Sequence, residues 1–186
     1  MRIVGGRLRG RPLAVPSDEA TRPTSDRVRE AAFNILAHGI DGAVIEGARV
    51  LDLFAGTGAL GIEAVSRGAA FCLFVDEHAE ARGVIRENVE ALGLTGVTKI
   101  FRRDATDLGP AGKYANFNLA FLDPPYGKSL GQRALASAAD NGWLADGATI
   151  VLEESKAADV ELPARFVERD RRIWGDTQMI FAVFKP

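Results

Sequence analysis

Two short stretches of the chain combine residue types that chemistry on an amine would need. Asp123-Pro124-Pro125-Tyr126-Gly127 directly follows the apolar run Asn118-Leu119-Ala120-Phe121-Leu122. The exocyclic amine of guanine or adenine is a poor nucleophile because its lone pair is delocalised into the ring. A site that uses it must hold the amine hydrogens and aim the lone pair at the electrophile. Asp123 can accept one hydrogen, and the carbonyl of Pro124, held by a stiff Pro-Pro pair, can accept another. Tyr126 offers a ring for stacking a base, worth roughly 1–3 kcal/mol in single-stranded contacts. Catalysis of this kind rests on positioning and electrostatics and requires no covalent enzyme intermediate. These residues leave open whether Asp123 itself takes the proton.

The second stretch, Asp52-Leu53-Phe54-Ala55-Gly56-Thr57-Gly58-Ala59-Leu60-Gly61, lies upstream, where an apolar run gives way to a helical pattern. Gly56 and Gly58 permit a sharp turn and close approach of a ligand, and Gly61 permits tight packing of helix on sheet. Asp76 ends the next apolar run, twenty residues after Gly56. A carboxylate there can accept hydrogen bonds from ribose hydroxyls, and Glu77 beside it can share or replace that role. Asp52 separates two cofactor classes. A carboxylate repels the pyrophosphate of a dinucleotide but attracts the ammonium and sulfonium of S-adenosylmethionine, which is therefore the cofactor expected. Asp104, followed by Ala105, closes the third run and is placed to receive an adenine amino group.

The elements that must position these residues are legible in the pattern. Short apolar runs at 49–54, 71–75, 97–102, 118–122 and 148–153 alternate with helical stretches at about 59–67, 78–92 and 129–142. This alternation predicts an α/β protein with a doubly wound, mostly parallel sheet. Residues 166–174 and 177–184, separated by Gly175-Asp176, predict a terminal hairpin. Ser25 precedes a helical pattern that ends near Gly39. The expected organisation is a basic arm over residues 1–24 and one domain over 25–186.

Composition narrows the class further. At 186 residues, 47% of them hydrophobic, the chain has material for one sizeable core. No apolar run reaches the roughly 20 residues of a membrane span, which predicts a cytoplasmic protein. A lone Cys72, inside an apolar run, excludes an internal disulfide and points to core filling; no metal site is expected. The net charge is -2, yet residues 1–30 hold seven arginines against four acids, a local +3 that leaves -5 for the remainder. Arg7, Arg9 and Arg11 in the arm, with Arg22 and Arg27 after it, form a local phosphate-seeking segment. The arm is compatible with a small hairpin around Gly5-Gly6 or with order acquired on binding.

Taken together, these stretches resemble the RsmD-like 16S ribosomal RNA guanine-N2 methyltransferases, a branch of the class I methyltransferases. The resemblance spans essentially the whole chain. It is carried by Arg2-Ile3-Val4-Gly5-Gly6, Arg22-Pro23-Thr24, Arg27-Val28-Arg29-Glu30, Phe33-Asn34-Ile35-Leu36, the Asp52–Gly58 loop, Asp123–Tyr126 and Gly175-Asp176-Thr177. It implies a Rossmann-like sheet of seven strands with one antiparallel strand in the last hairpin. It also implies methylation of guanine 966 at N2, on RNA within a 30S subunit or assembly intermediate; the chain is expected to act as a monomer. Asp52, Phe54, Ala55, Gly56, Thr57 and Gly58 would hold the methionine part of S-adenosylmethionine, Asp76 the ribose and Asp104 the adenine. Asp123, Pro124 and Tyr126 would hold the flipped guanine. Three rivals share part of the pattern: an adenine-N6 methyltransferase, a catalytically silent RNA-binding assembly factor and a small-molecule amine methyltransferase. The short arm leaves little to read DNA base edges, the intact acids argue for catalysis, and a small-molecule enzyme has no need of the arginines.

Overall fold

The structure is a computed structural model that describes residues 1–17 and 24–186. Arg22, one of the arginines expected to contact RNA, lies outside the described residues. Helix α1 (Asp26–His38) begins at Ser25, whose hydroxyl accepts the Val28 N–H at 3.2 Å. It buries Arg29, Ala32, Phe33 and Leu36, one stripe at helical spacing. Beyond it the chain alternates as β1 (Arg49–Leu53), α2 (Ala59–Ser66), β2 (Phe71–Val75), α3 (Ala79–Ala91), β3 (Thr98–Phe101), β4 (Phe117–Leu122) and α4 (Leu130–Asp140). Three strands follow directly: β5 (Leu144–Ser155), β6 (Phe166–Trp174) and β7 (Thr177–Phe184).

The seven strands form one sheet in the order β3-β2-β1-β4-β5-β7-β6. The β1–β2, β1–β4, β2–β3 and β4–β5 pairs are parallel, and β7 runs antiparallel to both β5 and β6. Cys72 to Val75 are all buried, the continuous apolar run of a strand covered on both faces. On one face the core joins Phe33 and Leu36 of α1, Ile62 and Val65 of α2 and Ile85 and Val89 of α3 to alternate residues of the strands. On the other, Ala134, Leu135 and Ala138 of α4 pack with Trp143 and the intervening strand residues.

β5 starts earlier than its apolar run predicts. Phe117 pairs with Leu144, the register then shifts, and Leu119 pairs with Thr149. Gly147, at φ 77°, absorbs the irregularity that polar Asp146 and flanking residues would otherwise bring into the sheet.

The arm folds back on this framework. Arg2 bridges Pro12, and the Ile3 N–H donates to the Arg11 carbonyl at 2.9 Å. Ile3 and Leu13 belong to the main core, 1% and 6% exposed. Gly5 and Gly6 are required because α2 ends against them: a Cβ on Gly5 would overlap the Arg67 guanidinium, and one on Gly6 the Ser66 carbonyl. Glu63, fully buried on α2, accepts the Val4 N–H at 3.0 Å and pairs with Arg67 at 2.8 Å and Arg29 at 3.6 Å. Arg29, also fully buried, further bonds the Arg2 and Thr24 carbonyls and Asp26. Removing one member of such a pair strands a charge away from water. Glu63→Ala is expected to lower stability in urea unfolding by about 3 kcal/mol. A loss under about 1 kcal/mol would show that this pair does not hold the arm.

Candidate active site

β1 and β4 are parallel neighbours, with Leu53 beside Leu122. Strand order reverses between them, so the loops leaving their carboxyl ends diverge and open a crevice. The loop after β1 turns through three left-handed residues, Phe54 (φ 55°), Gly56 (φ 58°) and Gly58 (φ 78°). Gly58 is the cap of α2 and has no side chain to offer the free amides of the first turn. Asp52 supplies the acceptor instead, taking the Gly61 N–H at 3.0 Å. A Cβ on Gly61 would lie 2.5 Å from Cys72 Sγ and 2.9 Å from Asp52 Oδ2, so glycine is what lets the helix come this close. Burial pushes the Asp52 carboxyl well above the usual carboxylate range; the Gly61 N–H opposes this, and the Asp76 charge adds to it.

The other expected cofactor residues stand at neighbouring strand ends. Asp76 follows β2 and accepts the Gly56 N–H at 3.0 Å and the His78 N–H at 2.9 Å. Glu77 is exposed, and its carbonyl takes a hydrogen from Arg82. Ala55 donates to the Val75 carbonyl, and the Thr57 carbonyl accepts from Asn88 of α3 at 3.0 Å. Asp104 is exposed after β3 and accepts from the Thr106 amide and hydroxyl, with Ala105 buried beside it.

On the other side of the crevice, Asp123 is partly buried and Pro124 buried, while Tyr126 is 42% exposed. Among the described residues no donor lies within hydrogen-bonding reach of the Asp123 carboxylate, whereas its N–H reaches the Leu53 carbonyl. Its carboxyl is pushed well above the usual range by burial, then by repulsion from Glu153, Asp52 and Glu154. Tyr126 donates to Glu153, and its hydroxyl lies 3.1 Å from that of Thr177. Glu154 accepts the Gly127 N–H at 2.9 Å and the Ser155 N–H at 2.7 Å. A cavity of about 490 Å³ opens beside Tyr126, lined also by Gly127, Ser129, Gln132 and Glu154. Glu153 and Glu154 were not among the residues expected here. The signal for them was a pair of acids ending the apolar run of β5, but their contact with Tyr126 follows from the pairing of β4 with β5, which periodicity does not give.

The arginines expected to meet RNA that lie among the described residues are all on the surface. Arg7, Arg9, Arg11 and Arg27 are exposed, and Arg2 and Arg9 line a cavity with Arg27, Asp26 and Glu30 between the arm and α1. Arg29 is fully buried and belongs to the core. Arm and crevice are joined by Asn88, whose amide bonds both the N–H and the carbonyl of Ala14 as well as the Thr57 carbonyl.

A parallel sheet reversed between β1 and β4, a glycine turn after the first and Asp-Pro-Pro-Tyr after the second define a class I methyltransferase. Residues 1–183 match the family described as "Conserved hypothetical protein 95". The Escherichia coli (strain K12) protein "Ribosomal RNA small subunit methyltransferase D" is 40% identical over 153 residues, 82% of this chain and 74% of its own. The Bacillus subtilis "Putative rRNA methyltransferase YlbH" is 38% identical over 165 residues, 88% of this chain and 86% of its own. Among solved structures, "Putative methyltransferase yhhF from Escherichia coli" superposes with a TM-score of 0.84 at 33% identity, covering 100% of this chain and 98% of that one. The chain belongs to this family of ribosomal RNA methyltransferases.

α2 packs tightly against β1 and β2 at Gly61. Gly61→Ala is expected to cost about 1–3 kcal/mol in urea unfolding, because Cys72, Phe74 and Asp52 already occupy the space of the added methyl. Unchanged stability would mean that helix and strands do not meet this closely.

Proposed function

We propose that this chain transfers a methyl group from S-adenosylmethionine to the exocyclic N2 amine of a guanine in 16S ribosomal RNA. By family resemblance the guanine is number 966, presented on the small subunit or an assembly intermediate in the cytoplasm, and the enzyme acts as a monomer. The observation that carries the reading is Asp123. It is an acceptor without a donor among the described residues, set between the glycine turn and Tyr126 at the point where the sheet reverses.

The residues present fit the cofactor. No lysine or arginine occurs from residue 50 to 66 to neutralise a pyrophosphate, while Asp52, Asp76 and Asp104 offer negative charge and acceptors. A Cβ on Gly56 would meet nothing nearer than the Phe54 carbonyl at 4.0 Å, so the turn's surface is open to a ligand. In this reading the backbone and acids of residues 52–58 hold the methionine part, with Asp76 and Glu77 at the ribose and Asp104 and Ala105 at the adenine. When bound, S-adenosylmethionine supplies a methyl group activated by its sulfonium.

The amine is prepared by the chain itself. Tyr126 stacks the base, the Asp123 carboxylate accepts one amine hydrogen, and the Pro124 carbonyl accepts the other. With both engaged, the nitrogen lone pair is freed from the ring and aimed at the methyl carbon. Arg7, Arg9, Arg11 and Arg27, with Arg22, take phosphates of the RNA. Residues 1–24 are then the RNA-seeking part of a domain that otherwise spans 25–186.

Asp123→Ala is expected to reduce methyl incorporation from labelled cofactor at least about 100-fold while cofactor affinity by calorimetry stays within about twofold. Normal turnover would sink the mechanism. The arm is best tested by point substitution, because truncation would also remove core residues Ile3 and Leu13. Replacing Arg7, Arg9 and Arg11 together by alanine is expected to flatten the dependence of log affinity for RNA on log salt by about 2. An unchanged slope would take the arm out of the interface.

A further inference from the structure

Two buried acids beside the crevice, Glu153 and Glu154, have no task in methyl transfer as described, and Glu153 is the one that touches Tyr126. Glu153 is 4% exposed, and no lysine or arginine among the described residues pairs with it. Leu122 pairs with Leu152, so Asp123, just past the end of β4, lies beside Glu153 near the end of the longer β5 and on the same face. One oxygen of Glu153 accepts the Tyr126 hydroxyl, and the other accepts the Thr24 hydroxyl at 2.6 Å. Two segments distant in sequence, the approach to α1 and the β4 loop, therefore converge on one carboxylate through Thr24 and Tyr126, and the start of β7 joins them through the Thr177 hydroxyl on that of Tyr126. An amide or hydroxyl could brace a phenol without burying a charge, so a carboxylate here calls for a second use.

We propose that Glu153 is a positioning residue of the methyl transfer: it fixes the Tyr126 ring beside the amine held by Asp123, and its charge favours passage of the amine proton to Asp123. This rests on the roles of Asp123 and Tyr126 given above. The amine nitrogen bonds the methyl carbon as the methyl–sulfur bond breaks and that electron pair returns to sulfur. The N–H proton held by Asp123 then passes to its carboxylate and leaves to water. The groups facing Asp123 are Asp52 from β1, Glu153 and Glu154 from β5 and the Tyr126 phenol from its own loop, all of them acidic. Among these, Glu153 is the strongest repulsive neighbour. Its carboxylate also helps, after burial, to hold the Tyr126 phenol well above its ordinary range.

The sign follows. Removing the Glu153 charge makes Asp123 a weaker base that stays ionised to lower pH. The test is Glu153→Gln in the full chain, assayed on small ribosomal subunits lacking the methyl group. Turnover is expected to fall about 10-fold to 100-fold at neutral pH, and the acid limb of the kcat–pH profile to move down by about one unit. Cofactor affinity by calorimetry is expected to stay within about twofold. Thr24→Val, which removes a hydrogen bond but keeps the charge, should lower turnover and leave that limb in place. A second readout needs no cofactor. The chain has two tyrosines, so in a Tyr114→Phe background tyrosinate absorbance reports Tyr126 alone, and its onset on raising the pH should come earlier in Glu153→Gln than with Glu153 intact. An unmoved acid limb, an equal shift in Thr24→Val, or an unchanged phenol titration overturns the proposal. Subunits left unmethylated by the unmodified enzyme would overturn the functional reading instead, and the phenol titration would still decide whether Glu153 holds Tyr126.

Discussion

Asp52, Asp123, Glu153 and Glu154 cluster at the carboxyl ends of three adjacent strands, and among the described residues no lysine or arginine pairs with any of them. Carboxylates withdrawn from water need hydrogen bonds if they are not given a counter-charge. Three have them: the Gly61 amide on Asp52, the Tyr126 and Thr24 hydroxyls on Glu153, and the Gly127 and Ser155 amides on Glu154. Asp123 alone has no such donor, and the others raise its proton affinity. Much of the local structure serves these bonds. α2 is capped from β1 rather than by its own first residue, and the β4 loop is pinned to β5 through both acids that end that strand.

The arm answers the same electrostatic problem in the opposite way. Glu63 is buried with Arg29 and Arg67 around it, so its charge is balanced within the core. That balance pins residues 1–8 to α2 through Val4, Gly5 and Leu8, while Arg7, Arg9 and Arg11 face water. Arginine thus has two roles within thirty residues: one internal guanidinium that builds the platform, and several external ones that give it a positive surface.

The elements that carry the crevice were legible because each has a strong local signature. Apolar runs bounded by glycines gave the strands and helices, and the two loops lie at strand ends where their motifs place them. What was not legible depended on pairing across the sheet. Nothing local distinguishes Glu153 from a solvated strand end until Leu122 is set beside Leu152. Asp52 reads as a ligand for an ammonium, and its bond to the Gly61 amide emerges only once Gly58 is found to cap α2 without a side chain. Nothing in the sequence sets Arg29 apart from the other arginines of the first thirty residues, because its burial is made by Glu63, on a different helix. Ile3 and Leu13 were hidden for a similar reason, two apolar residues in a stretch dominated by arginine and glycine.

Charge separation within one small domain follows from this arrangement. A strand-end crevice lined by acids repels phosphate and favours cations and N–H donors, whereas the arm attracts phosphate and contributes no acid of its own before residue 18. Under the proposed function, an RNA held by its backbone on the arm would have to cross the acids to lay that backbone into the crevice, whereas a base, uncharged and bearing amine hydrogens, would meet no such barrier. The same field that disfavours phosphate would then select which part of a nucleotide enters. Asn88 sets the distance between the two regions, since one amide side chain bonds Ala14 of the arm and Thr57 of the glycine turn. In that reading, selection by charge and spacing by a single side chain would act together to orient a nucleotide.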